Sequence, residues 1–129
     1  MSLFNNFTLG KVGENTVLEY YTANNYNLVV KNFQYYRQGT QGRLGEIDLI
    51  FEKNKRLYLV EVKSRTTNTY GDPSSQITKT KLKCLYKTFY YFLSKYPNFR
   101  EYPCRFDIAS MLKNKVSIIE NAYNFDNFN

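Results

Sequence analysis

The chain has 129 residues, 18 Lys+Arg against 11 Asp+Glu for a net charge of +7, and 43% hydrophobic residues. That length suits one domain able to bury roughly two thirds of its unfolded surface, and the apolar content excludes a disordered chain. With no histidine, Ser-His-Asp and Cys-His nucleophile systems, His-ligated zinc and a His general base are all excluded.

Residues 8–24 read as a helix: Leu9, Val12, Val17 and Tyr20 recur near helical spacing, Thr8 offers an N-cap, and Asn24-Asn25 ends the run. Residues 26–36, rich in Tyr, Val and Phe, read as a strand. A Gly-rich basic loop follows from Arg37 to Leu44. The segments 45–52 and 57–65 are two further strands, joined as a hairpin by the polar turn Lys53-Asn54-Lys55-Arg56. Thr66 to Pro73 is a loop. Residues 74–96 form the longest helix, with Ile77, Leu82, Leu85, Phe89, Phe92 and Leu93 as its apolar stripe and Pro97 as its stop. Residues 104–112 and 116–121 are strands around Lys113-Asn114-Lys115, and 124–129 is a frayed tail. Strand 57–65, the long helix and strand 104–112 make a crossover, expected to be right-handed. The expected class is α/β with a mixed sheet, in a single domain over 1–129 whose core spans about 8–123. Cys84 and Cys104 are expected as buried thiols rather than a disulfide. No apolar run approaches the roughly 20 residues of a membrane span and no signal peptide opens the chain, so a cytoplasmic protein without a membrane partner is expected.

The chemistry concentrates in residues 46–63. Strand side chains alternate faces, so Glu61 shares a face with Lys63, and Glu46 with Asp48. Pairing Glu52 with Leu57 puts Asp48 opposite Glu61 and Glu46 opposite Lys63. Like charges directly opposed are destabilising unless something cationic lies between them. A divalent ion fits: Mg²⁺ takes one or two carboxylates and keeps several waters. Lys63 beside it would orient the attacking water and stabilise charge developing on phosphorus. The competing reading is a hairpin face of ordinary solvated charges. Against it, Ile50, Leu57 and Leu59 share the face, and charge at the edge of an apolar patch is costly without a partner.

Gly45-Glu46-Ile47-Asp48-Leu49-Ile50 followed by Glu61-Val62-Lys63 resembles the signature of the PD-(D/E)XK nuclease superfamily, and is closest to its small bacterial YraN-like branch of endonuclease-like proteins. The resemblance extends through Gly13-Glu14, Lys31-Asn32, Gly71 with Pro73, Thr78, Lys81, Arg105-Phe106-Asp107 and Asn121-Ala122-Tyr123, over roughly residues 8–123. It implies a restriction-endonuclease-like core, a mixed β-sheet flanked by helices in the order αβββαβ, here with a C-terminal strand. It implies that Asp48 and Glu61 hold Mg²⁺ or Mn²⁺ and that Lys63 assists the water. Glu14 would complete the metal site or stand as a surface helix residue, and Glu46 would support Lys63. Tyr123 departs from the branch, where Phe is usual.

For substrate contact, Lys79, Lys83 and Lys87 lie on one helix face. They fit a solvated surface or, with Lys81, Arg37, Arg43 and Arg65, a positive field for phosphates. Tyr35, Tyr36 and Tyr70 fit core caps or base-stacking platforms. Asp107 is expected to be structural, paired with Arg105 or another base. The leading expectation is a metal-dependent endonuclease acting on DNA more than RNA. No recognition helix is evident, so selectivity for branched, flapped or single-stranded structure is expected. A homodimer would serve two-strand cleavage. The alternatives are a non-catalytic nucleic-acid-binding module on the same scaffold and a protein-interacting subunit of a larger assembly.

Overall fold

In the computed structural model the backbone is described for residues 6–36, 39, 43–65, 78–112 and 115–123, and side chains within these from residue 12 onward except at 43, 64, 65 and 112. The elements are α1 (Asn6–Ala23), β1 (Asn27–Tyr36), β2 (Arg43–Lys53), β3 (Arg56–Arg65), α2 (Lys79–Lys95), β4 (Cys104–Leu112) and β5 (Lys115–Tyr123), with a 3-10 turn at Pro97–Phe99. One five-stranded sheet runs in the order β1-β2-β3-β4-β5. β3 and β4 are parallel and every other pair is antiparallel. This is a mixed α/β fold, and the parallel pair is what a helical crossover requires.

Helix α1 begins at Asn6, so Thr8 lies inside the helix rather than capping it. Its end is a Schellman motif: Tyr26 N donates to Tyr21 O at 3.1 Å, Asn25 N to Thr22 O at 3.1 Å, and Asn25 takes a left-handed φ of 70°. The Tyr21 and Tyr26 rings meet at 4.9 Å across it. The buried row of α1 is Gly13, Val17 and Tyr21, an i, i+4 line. Val12 and Tyr20 from the expected stripe are instead 45% and 46% exposed.

The β2–β3 hairpin turns through Asn54 and Lys55 at φ 53° and 61°, the two left-handed residues of a type I′ turn. That turn fixes the expected register from Lys53↔Arg56 through Glu52↔Leu57 to Leu49↔Val60. Helix α2 starts later than residue 74. Its N-cap is Thr78, whose hydroxyl accepts from Lys81 N at 3.1 Å. Ile77 and the 66–77 segment lie outside the described residues, as do Arg37 and the 124–129 tail. Arg43 and Leu44 belong to β2 rather than to the loop, and β5 extends the expected 116–121 strand at both ends.

Two cores sandwich the sheet. On the α1 side Val17 and Tyr21 pack with Leu49, Phe51, Tyr58 and Val60. On the α2 side Phe89 and Phe92 pack with Ile47, Ile50, Leu57 and Leu59. Cys84 and Cys104 form no disulfide, but both are half-buried rather than buried. Among the described residues no helix is long and apolar enough to cross a membrane.

Ile47 and Ile50 face the same core although strict alternation would separate them, while Leu49 faces the other. The alternation breaks at Asp48. Opposite it in β1, between the pairs Lys31↔Leu49 and Phe33↔Ile47, Asn32 takes a φ of 54°. A left-handed residue interrupts the pleat there and re-aims side chains, although the register is the same on both sides of it. The same position ends the bridge pairs of β2 with β3, so the expected direct opposition of Asp48 and Glu61 is replaced by an opening of the two strands.

Candidate functional site

The opening is filled by the Asp48 carboxylate, whose Oδ2 accepts from Val62 N at 2.8 Å. A side chain thus takes the backbone donor of the neighbouring strand where the ladder lapses. Half-buried there, Asp48 is pushed up to about 7, chiefly by burial; Glu46, Glu14 and Glu61 push it further, and the Val62 N–H opposes them. Glu14 acts from the helix on one face of the sheet. Glu61 belongs to the other, where its Oε2 accepts from the Tyr123 hydroxyl at 3.2 Å and its Oε1 lies 3.2 Å from Lys63 Nζ. The phenol of Tyr123 is pushed up by burial and by Glu61, so it stays protonated and donates.

A cleft of about 410 Å³ opens beside this cluster, lined by Glu46, Asp48, Glu61, Lys81 and Tyr123 among others. Its opposite wall is the first turns of α2, with Thr80 and Lys81. That wall carries the positive end of the helix dipole together with a Lys side chain. The wall approaches β2 closely at Gly45: a Cβ there would overlap Thr88 Oγ1 and stand 3.2 Å from the Cys84 carbonyl oxygen. Thr88 cannot yield easily, because it is fully buried and its hydroxyl donates to Cys84 O at 2.7 Å. Gly45→Ala is therefore expected to cost about 1–3 kcal/mol of stability, measured by urea unfolding. A neutral result would mean that α2 is not seated on β2 as described.

Asp48, Glu61, Lys63, Glu14 and Glu46 are therefore neighbours, and Lys81 lines their cleft. Lys79 and Lys83 are exposed and are not among the described residues that line it. Arg43 and Arg65 end strands β2 and β3, with side chains outside the described set, and Arg37 lies outside it altogether. Among the described residues no three His, Cys, Asp or Glu groups form a ready-made metal cage.

Asp107 is structural, as expected. It is fully buried and accepts from Arg105 Nε at 2.8 Å and Nη2 at 2.9 Å, from the Tyr21 hydroxyl at 3.0 Å and from Asn121 N at 3.1 Å. Two site features escape sequence reasoning: the seat at Gly45 and the Tyr123 hydroxyl. The expected β5 stopped at residue 121, and without a bulge Asn121 would fall opposite Phe106. The bulge at Asn121, φ 52°, brings Tyr123 there instead.

The model of the uncharacterised protein family UPF0102 matches residues 13–111, a stretch that includes Glu14, both strands of the hairpin and Lys81. A UPF0102 protein of Acinetobacter baylyi is 39% identical over 100 residues, covering 78% of this chain and 66% of its own length. One from Persephonella marina is 34% identical over 117 residues, 91% of this chain and 94% of that one. One from Thermodesulfovibrio yellowstonii is 33% identical over 115 residues, 89% and 95%. The match runs from α1 through β4 and so spans the carboxylate cluster, its lysine and the helical wall facing them; the chain belongs to the UPF0102 family.

Proposed function

We propose that this protein is a metal-dependent nuclease of restriction-endonuclease-like fold, hydrolysing phosphodiester bonds in DNA of branched, flapped or single-stranded structure. The observation that carries this reading is the company kept by Asp48: a half-buried carboxylate whose charge is opposed by Glu46, Glu14 and Glu61 at a break in the sheet. Such a cluster is unfavourable by itself and becomes favourable around a cation. The donor set suits Mg²⁺ or Mn²⁺, since Asp48 and Glu61 supply the one or two carboxylates a hard cation needs, while Glu14 adds negative charge to Asp48 from the other face of the sheet. When bound, the ion would polarise a phosphate oxygen and acidify a water. Lys63, held 3.2 Å from Glu61, has its ammonium where it can orient that water and offset charge developing on phosphorus. Lys81 and the first turn of α2 face the carboxylates across the cleft and attract the phosphate.

A second reading, a non-catalytic nucleic-acid-binding module, is favoured by the lack of a three-group metal cage among the described residues. One experiment separates the two. A labelled panel (duplex, single strand, flap, four-way junction, RNA) is incubated with Mg²⁺ or Mn²⁺, beside Glu61→Gln and Lys63→Met. Wild type is expected to cut at least one DNA form, and chelator or Glu61→Gln to abolish cutting. Lys63→Met is expected to slow it by about 10²–10³-fold with Mn²⁺ affinity retained. Salt-dependent binding without cleavage would favour the second reading. Neither binding nor cleavage would overturn both.

A further inference from the structure

We propose that Tyr123 is a positioning residue that sets the rotation of the Glu61 carboxylate and so determines which oxygen is offered to a divalent cation; this rests on the metal reading above. A Glu carboxylate turns easily about its last bond, whose torsion is broad and roughly two-fold. In this structure both Glu61 oxygens are engaged, Oε2 by the Tyr123 hydroxyl and Oε1 by Lys63 Nζ, each at 3.2 Å. The two partners differ in kind. Lys63 is a flexible stem with a compact charge that an incoming cation can replace. Tyr123 is 7% exposed, its ring packs on Phe106 at 4.4 Å, and both line the cleft.

The hydroxyl's position is fixed from behind. β5 carries two extra residues between Ile108↔Ile119 and Phe106↔Tyr123. The bulge is held by Asn121 N donating to the buried Asp107 at 3.1 Å. A chain of contacts thus runs from the buried Asp107 through the Asn121 bulge to the phenol and on to Glu61 Oε2. That leaves Oε1, the oxygen now beside Lys63, as the one available to a cation, with Lys63 adjacent to whatever binds there.

Tyr123→Phe keeps the ring and removes only the hydroxyl. Mn²⁺ binding to the intact protein, followed by calorimetry and by the Mn²⁺ spin-resonance signal, is expected to weaken about tenfold. The melting temperature of the metal-free protein should stay close to wild type. In the Glu61→Gln background the same substitution should change Mn²⁺ affinity little, because the group it positions is gone. Wild-type affinity in Tyr123→Phe would overturn this assignment and leave the metal reading standing. Equal losses with and without Glu61 would also overturn it, because they mark a packing effect. Wild type binding no more Mn²⁺ than Asp48→Asn would remove the metal reading and this assignment together.

Discussion

Asp48→Asn is expected to make the metal-free protein more stable at pH 8 by about 2 kcal/mol while sharply reducing the proposed Mn²⁺-dependent cleavage. The two effects have one cause. Burial and three neighbouring carboxylates push Asp48 up to about 7 in the folded protein, against an ordinary value of 3.8. The folded state therefore holds this proton more tightly than the unfolded state. A group displaced in that direction gives its full stabilisation below about pH 4 and loses it as pH rises through about 7. Each tenfold gain in proton affinity is worth about 1.4 kcal/mol, so about 4 kcal/mol is the ceiling, and a group open to the cleft on one side should give about half of it. Asparagine removes the charge and keeps an oxygen for the Val62 N–H. Its advantage should shrink as pH falls from 8 toward 5, measured by urea unfolding in chelator. Cleavage should fall by about 10³-fold, the equivalent of about 4 kcal/mol of lost charge stabilisation. An advantage that does not vary with pH would show that Asp48 is not the strained carboxylate of the cluster.

The parts of the fold legible in the sequence are those governed by local rules. The Asn54-Lys55 turn dictates a two-residue hairpin, and the register follows from it without further information. Pro97 and the Leu82–Phe89–Phe92 spacing give α2 its end and its buried face because stops and periodicity are short-range signals, whereas its start at the Thr78 cap falls later than the expected residue 74. The departures arise where one strand's conformation depends on another element. Alternation predicts that Glu46 and Asp48 share a face and that Asp48 meets Glu61 head-on. The left-handed Asn32 in β1, across from Asp48, coincides with the break in that pattern, and nothing in residues 45–52 encodes it. The opening is what lets the carboxylate reach the Val62 N–H.

Helix α1 gives the same lesson. Tyr20 and Tyr21 are adjacent and chemically identical, so periodicity can choose either for the core stripe. The choice falls on Tyr21 because its hydroxyl reaches Asp107, which lies 86 residues away in sequence. For the candidate site, Asp48, Glu61 and Lys63 are legible as charges at the edge of an apolar patch, where charge is costly without a partner, and the resemblance singles out the same three. Tyr123 is hidden because its approach depends on a two-residue bulge in β5. The basic row is legible as a row, but all three lysines are exposed, and only the placement of α2 against β2 puts Lys81 on the cleft wall and leaves Lys79 and Lys83 off it.

Asp107→Ala is expected to be the most damaging single change to stability, at about 3–5 kcal/mol and a melting temperature lower by roughly 10–20 °C. One carboxylate satisfies four donors from three elements: the Tyr21 hydroxyl on α1, two guanidinium nitrogens of Arg105 on β4, and Asn121 N in β5. Its loss leaves the Arg105 charge, 19% exposed and stacked 4.5 Å above Tyr58, with the more distant Glu120 at 3.8 Å and the neutral Tyr26 in place of its close carboxylate. It also strands a buried tyrosine hydroxyl and a backbone N–H, each costing more unpaired than it contributes paired. Most of the expected loss is thus the penalty of orphaned partners rather than the net worth of the contacts. The double replacement Arg105→Met with Asp107→Leu should accordingly recover part of the stability, which urea unfolding of the two variants side by side will measure. A single-variant loss below about 1 kcal/mol would mean that the cluster is hydrated and behaves as a surface pair. The same carboxylate holds the bulge that presents Tyr123, so Asp107→Ala should also weaken Mn²⁺ binding under conditions where it remains folded. Stability and metal affinity would then fall together through one buried residue that neither lines the cleft nor belongs to the carboxylates of the proposed metal site.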